Sequence, residues 1–263
     1  MGINLDIKRN HKRKKLSVDS LKRYRRQLIL SEIGEEGQQR LLHSSVLIIG
    51  AGGLGSPIAL YLAAAGVGKL GIADHDVIDL SNLQRQILHS TEKIGESKVI
   101  SAKRRLLELN PDIEIVTYNE KIDSTNMDII TNYDIIINAV DNLETRYLLN
   151  DMCVVHNIPL IEGAIYNFEG HVTTIIPGVT ACYRCLFPYD SNRKKEEIGV
   201  IGALPGVIGT LQAVEALKYI LGIGKLLKNR LLYYNSLDVR FREIKVSPNP
   251  ECPVCFQAAK RMI

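Results

Sequence analysis

A β-branched run, Ser45-Val46-Leu47-Ile48-Ile49, stops at the glycine turn Gly50-Ala51-Gly52-Gly53-Leu54-Gly55, and an apolar stretch from Pro57 to Ala65 follows, closed by Gly66. The run has the length and side-chain shape of a buried strand. The stretch behind the turn reads as a helix stopped by glycine, and Lys69 to Ala73 supplies another strand, ending at Asp74. Strand, turn, helix and strand in that order make a unit whose connection is right-handed. Gly50, Gly52 and Gly55 fit G-x-G-x-x-G, in which one glycine turns tightly, one lets backbone approach a phosphate and one packs helix on strand. The helix start then offers unpaired N–H groups to an anion. Asp74, 24 positions after Gly50, stands where a carboxylate accepts bonds from ribose hydroxyls. The pattern points to a nucleotide without saying which, and glycines serving packing alone are the plainer alternative. The GK[ST] ending of a Walker A loop is missing.

Further elements extend this unit. Glu96 to Leu109 has apolar residues at 99, 102, 106 and 109, the spacing of a helix with one buried stripe, and Asn110-Pro111 ends it. Ile113 to Tyr118 and Asp134 to Val140 read as strands, with Asp141 at the carboxyl end of the second. Ahead of the turn, Arg23 to Leu30 reads as one helix and a second short one runs towards Leu42. Beyond residue 158, strands are expected near 159–162, 171–176, 231–235 and 239–246, with a long helix from about Val207 to Leu221. Alternating strands and helices indicate an α/β fold, a doubly wound, Rossmann-like, mainly parallel sheet that continues into an antiparallel portion.

The net charge of +4 describes the N-terminus more than the body. Lys8, Arg9, Lys12, Arg13, Lys14 and Lys15 crowd one tail, and the remainder carries −2 once these six are set aside. A solvated, disordered arm over residues 1–17 is the plainer reading of such a block, with nucleic acid an unlikely partner, since no aromatic side chain is interleaved to stack on bases. No apolar run is long enough for a membrane span and no apolar segment follows the leading cations, so a cytoplasmic location is the default expectation.

Asp79-Leu80-Ser81-Asn82-Leu83-Gln84-Arg85-Gln86, with Lys98 at the start of the next helix, argues for more than dinucleotide binding. A nicotinamide cofactor brings a diphosphate that helix dipoles largely satisfy. Nucleotidyl transfer must neutralise three phosphates and a leaving pyrophosphate, which calls for fixed cations and a metal. Arg85, Lys98 and Asp141 supply that set, although ordinary surface charge is an equal alternative for the two cations.

Four of the five cysteines form two C-x₂-C pairs, Cys182/Cys185 and Cys252/Cys255. In a chain without a secretion signal this favours tetrahedral zinc over disulfides. The 66 residues between the pairs exclude a compact finger, so the metal would tie the chain end back onto the body in a structural role. Cys153, the fifth, reads as a small buried hydrophobe. The charged stretch Arg193-Lys194-Lys195-Glu196-Glu197 lies in a long connection, either a solvated link or a segment that folds over a partner's tail.

Taken together, Tyr24-Arg25-Arg26-Gln27, Gly50 to Gly55, Asp74 to Asp76, Ser81 to Gln86, Lys98, Asp141-Asn142 and the two cysteine pairs resemble the MoeB/ThiF/HesA family of bacterial adenylyltransferases, which act on the molybdopterin-synthase and thiamine sulfur carriers. The resemblance spans Tyr24 to Cys255. It implies one adenylyltransferase domain over 18–263, with a nucleotide-binding half at about 45–160 and a carrier-binding and zinc half at about 161–263. It implies ATP and Mg²⁺ as cofactors beside Zn²⁺, and a small ubiquitin-like carrier ending in Gly-Gly as partner. Gly50, Gly52, Gly53 and Gly55 would hold the nucleotide and Asp74 its ribose. Asn82, Arg85 and Lys98 would grip the phosphates, Asp141 would bind Mg²⁺, and Asp76, Gln86 and Asn142 complete the set. Arg26 would reach across a homodimer interface into the partner's site. Relatives that form a thioester or persulfide carry a further cysteine between Leu186 and Pro205. None stands there, so the enzyme is expected to stop at the adenylate, and the chain's end soon after Cys255 implies no fused sulfurtransferase domain. An NAD-dependent oxidoreductase, a carrier-docking protein without turnover, and an adenylyltransferase for a peptide or other carboxylate are the rivals.

Overall fold

The computed structural model describes residues 16–189 and 199–255; the basic tail and the segment Arg193 to Glu197 lie outside them. Helices α1 (Val18–Arg23), α2 (Arg25–Leu28) and α3 (Gly34–His43) precede strand β1 (Ser45–Ile49). Then come α4 (Gly55–Ala65), β2 (Lys69–Ala73), α5 (Lys98–Leu109), β3 (Glu114–Tyr118), β4 (Ile135–Asn138), α6 (Leu143–Val155), β5 (Leu160–Tyr166) and β6 (Glu169–Ile175). The chain closes with α7 (Tyr183–Leu186), α8 (Ala203–Leu221), β7 (Arg230–Asn235) and β8 (Arg240–Lys245).

The strands form one sheet in the order β3-β2-β1-β4-β5-β6-β7-β8. Pairings from β3 through to β5 are parallel, and those from β5 to β8 are antiparallel. Between β1 and β4 the winding reverses direction, which opens a crevice at the carboxyl ends of those strands. Asn167, at φ 53°, and Phe168 make the tight turn that starts the antiparallel half, with Tyr166 paired to Glu169 across it.

Period-two alternation divides each central strand between two cores. Val46, Ile48, Ile135 and Ile137 face α4, α5 and α8, joining Ile58, Leu62, Val99, Leu106 and Ile208. Leu47, Ile49 and Ile136 face the other way, onto Met127, Ile130, Leu149, Cys153 and Val154. Helices on both faces make the sheet doubly wound, as the sequence indicates.

Two elements differ from expectation for local reasons. The single helix expected over Arg23 to Leu30 breaks at Tyr24 (φ −96°, ψ 10°). The Tyr24 ring is buried against Gly66, where an added Cβ would meet it at 2.6 Å, and its hydroxyl accepts a bond from Asn110 Nδ2 at 2.9 Å. Helix α8 starts a turn early, at Ala203, because Pro205 falls in the first turn, where its missing N–H is not needed. Among the described residues no helix is long and apolar enough to cross a membrane.

Candidate active site

The glycine turn sits at the β1/β4 switch point, and its glycines are not equivalent. Gly50 (φ +104°) lies against the end of β4, so that a Cβ there would meet Ala139 O at 2.6 Å. At Gly55 a Cβ would fall 2.0 Å from Gly50 O, which is why the helix can start so close beneath the turn. A Cβ on Gly52 would meet only the end of Gln86, at 3.5 Å. Backbone is therefore open to a visitor at Gly52 and closed by packing at Gly50 and Gly55. Ser56 starts α4 by donating both its N–H and its hydroxyl to Gly52 O, at 2.9 and 2.7 Å.

A chain of polar contacts ties the turn to Lys98. Ala51 N–H donates to Asp74 Oδ2 at 2.7 Å, and Asp76 N–H donates to Asp74 Oδ1 at 2.9 Å. Lys98 Nζ, whose side chain is 6% exposed, meets Asp76 Oδ2 at 2.7 Å. A carboxylate has about four acceptor positions, so Asp74 keeps capacity for further donors while it organises the loop. Lys98 opens α5, with its own N–H bonded to Asp76 O at 3.1 Å.

Arg85 approaches from the other side. The short 3₁₀ turn Leu80–Asn82 is capped by Asp79, whose carboxylate accepts from Ser81 N–H and Oγ, bonds that hold its pKa below the usual range. Asn82 Oδ1 in turn accepts from Asp79 N–H at 3.3 Å. Arg85 Nη1 then donates to Ser81 O at 3.0 Å, and its Cγ lies 3.4 Å from the Cβ position of Gly53. A Cβ on Gly53 would also meet Pro205 at 3.2 Å, and Gly202 at the head of α8 approaches Gln84 so closely that a Cβ would meet its carbonyl at 2.1 Å. The N-termini of α4 and α8 therefore both converge on the turn, adding two positive dipole ends to Arg85 and Lys98. Gln86 is buried against Gly52, with its Oε1 lacking any partner.

Asp141 is exposed two residues past Ala139, the residue that touches Gly50, and Asn142 caps α6 by accepting from Thr145 N–H at 2.9 Å. His89 is a contributor that sequence reasoning missed. Its Nε2 lies 3.0 Å from Ala51 O and its Nδ1 3.1 Å from Ser101 Oγ, which braces the turn against α5. Burial, with Lys98 nearby, lowers the His89 pKa and keeps the ring neutral, so Nε2 carries the proton and Nδ1 accepts.

On the opposite core the cysteine pairs come together. Sγ separations are 3.9 Å for Cys182–Cys185, 3.6 Å for Cys182–Cys252 and 3.4 Å for Cys185–Cys255, and all four sulfurs lie within 4.8 Å of one another. Four thiolates about 2.3 Å from one tetrahedral ion would stand about 3.8 Å apart, so the donor set fits a zinc-type cluster. Burial pushes the Cys182 thiol up to about 12, whereas backbone N–H groups of Val254 and Cys255 outweigh burial at Cys252 and bring it to about 7. Helix α6 braces the knuckle: Asn150 Oδ1 accepts from Tyr183 N–H at 2.7 Å, and Asp151 grips Arg184 in a fork.

Residues 24–254 match the ThiF family. This chain belongs to the ThiF family. Among its relatives, the sulfur carrier protein adenylyltransferase of Thermus thermophilus is 46% identical over 247 residues, covering 90% of this chain and 91% of that protein. The SAMP-activating enzyme E1 of Haloferax volcanii is 45% identical over 247 residues, with 91% of each covered. Among solved structures, Escherichia coli MccB with ATP superposes at a TM-score of 0.81 with 26% identity, covering 89% of this chain and 73% of that one.

Two positions in this ThiF-family chain stand apart from the site. Arg26 is exposed on α2, whose neighbours Tyr24 and Gln27 pack on the C-terminal end of α4, at Gly66 and Ala65 O. The glycine turn is at the other end of that helix, about 16 Å away at 1.5 Å per residue. Arg26 is thus not gathered with Arg85 and Lys98 within one chain. Cys153 is fully buried in the second core, and burial raises its thiol pKa far above neutrality.

Proposed function

We propose that this chain adenylates the C-terminal glycine carboxylate of a small ubiquitin-like sulfur-carrier protein, using ATP and releasing pyrophosphate. The observation that carries the reading is the convergence of Arg85, Lys98 and two helix N-termini on an open glycine turn. Identity of 45–46% over nine-tenths of the chain to enzymes named for carrier activation supports the same reading. Identity to MccB, solved in complex with MccA, is only 25–27%, so the carrier reading is favoured over a peptide or other carboxylate as substrate.

A carrier oxygen attacks the α-phosphorus; the new P–O bond forms as the bond to the β-phosphate's bridging oxygen breaks, giving acyl-adenylate and pyrophosphate. The nucleophile is ionised at neutral pH, since a terminal carboxyl has a pKa of about 3.5. No general base is required, and catalysis amounts to bringing two anions together and cancelling their repulsion. In this scheme the turn from Gly50 to Gly55 cradles phosphate, Asp74 holds the ribose, and Asn82, Arg85 and Lys98 neutralise the triphosphate, with Asp76 and Gln86 supporting them. Asp141, with Asn142 beside it, would hold Mg²⁺, and the ion when bound would supply charge neutralisation for the leaving pyrophosphate. Zinc at Cys182, Cys185, Cys252 and Cys255 serves structure.

Arg26 completes the site of a second copy, which makes the working unit a homodimer. Residues 45–160 then handle nucleotide and 161–263 the carrier. The location is the cytoplasm and the pathway a molybdopterin- or thiamine-type sulfur transfer, with sulfur delivered by another protein because Cys153 is sealed.

Arg85→Ala, Lys98→Ala and Asp141→Ala are each expected to lower carrier-dependent ATP–pyrophosphate exchange by on the order of 10²–10³, with thermal unfolding still cooperative. Exchange near the wild-type rate in any of them refutes the role given to that residue.

A further inference from the structure

Behind Asp141 lies a buried polar network that makes none of the nucleotide contacts proposed above. Arg146 stands on the first turn of α6 with its side chain 6% exposed, and the Glu162 side chain on β5 is fully buried. The Arg146 guanidinium donates to Glu162 Oε1, to Gly163 O at 2.8 Å and to Val140 O. Asn138 Nδ2 donates to Glu162 Oε2 at 2.6 Å, and Asn138 Oδ1 accepts from Val140 N–H at 3.1 Å. Gln212 on α8 donates to Asn138 O at 2.8 Å. Both backbone polar groups of Val140 are therefore held by side chains of one network, and Val140 immediately precedes Asp141.

A buried ion pair of this kind adds little net stability compared with apolar packing of similar volume. What it does here is fix geometry at a strand end, where side chains rather than a neighbouring strand hold the peptide. Burial raises the Glu162 pKa, and Arg146 with the Asn138 bond is what opposes that rise. The pair is thus mutually dependent.

We propose that Arg146, held in turn by Glu162 and Asn138, is a positioning residue for Asp141: its grip on the Val140 carbonyl fixes the peptide that aims the Asp141 carboxylate at the metal–triphosphate. The proposal rests on the metal-binding role given to Asp141. Its test is the ratio of the ATP Kd without metal to the ATP Kd with Mg²⁺, measured by calorimetry on the full chain. Arg146→Lys keeps the charge but loses the fork. Arg146→Gln combined with Glu162→Gln removes both buried charges, so the second variant folds even if the first does not.

In each folded variant the Mg²⁺ preference is expected to fall at least tenfold, while the metal-free ATP Kd stays within twofold. An unchanged preference, or a metal-free Kd that worsens in parallel, overturns the positioning role. Asp141→Ala run alongside separates the two claims. If it too leaves the Mg²⁺ preference intact, the metal role of Asp141 falls and this proposal with it. If it abolishes the preference while the Arg146 variants keep it, only the positioning role falls.

Discussion

Gly52 and Gly55 sit three residues apart in one turn, yet the space around them differs. A methyl on Gly52 meets nothing closer than the end of Gln86 at 3.5 Å, whereas one on Gly55 drives into the Gly50 carbonyl at 2.0 Å, backbone against backbone. Gly55→Ala is therefore expected to destabilise the chain by about 3 kcal/mol through overpacking. Gly52→Ala should change stability by less than about 0.5 kcal/mol but weaken ATP binding at least tenfold by blocking the phosphate's approach. Denaturant unfolding and calorimetry read the two effects, and undiminished ATP affinity in Gly52→Ala would remove this glycine from the nucleotide site. The glycines were legible because their spacing is itself the signal. His89 was not: its partners Ala51 and Ser101 stand 38 and 12 residues away, and no local pattern links them. Nor does sequence distinguish an arginine at the turn from one at the far end of α4, which is the difference between Arg85 and Arg26.

Helix α6 and strand β6 show what element-level reading catches and loses. The C-x₂-C pairs were legible from spacing, but α6, which braces one knuckle, was not. Its buried face includes Thr145, Arg146 and Asn150, polar residues that blur the apolar stripe a periodicity argument needs. Cys252→Ser is expected to lose a stoichiometric zinc and roughly 3 kcal/mol of stability, about 10 °C in Tm for a domain of this size. Elemental analysis showing no zinc in the wild-type protein purified without chelator would end the zinc assignment. On β6, the His171 ring stacks on Phe187 just past that knuckle, with centroids 5.1 Å apart. The residue is only partly buried, but its Nε2 is sealed without a partner, and burial lowers its pKa to about 3. Below about pH 6.5 the unfolded chain takes up a proton that the folded one refuses, so stability falls as pH drops. Between pH 7 and 5 that loss is roughly 2 kcal/mol. His171→Phe should flatten the acid limb of a Tm–pH profile, leaving the smaller contribution of His89; an unaltered limb contradicts the neutral, sealed ring.

At the scale of the whole molecule, the parallel half was legible and the strand extents of the other half were not. Val46 to Ile49 and Ile135 to Ile137 are short unbroken apolar runs, which a sheet covered on both faces requires. Strand β5 runs on to Tyr166, past the 162 expected, straight through Gly163. In the fold it admits the Gln212 amide of α8, which a Cβ would meet at 2.3 Å. Long-range packing of this sort, like the approach of Gly202 to Gln84, belongs to the assembled sheet rather than to any window of residues. The same assembly brings the ends of β1, β2 and β4 and the heads of α4 and α8 to one crevice, and adenylation of a carrier rests on what that crevice accepts. The decisive measurement is ATP–pyrophosphate exchange with full-length candidate carrier proteins ending in Gly-Gly, run beside the same carriers amidated at the C-terminus. Exchange that requires both the chain and a free terminal carboxylate is the expected result. No exchange with any such carrier, together with binding of NADH in preference to ATP–Mg²⁺, would contradict it.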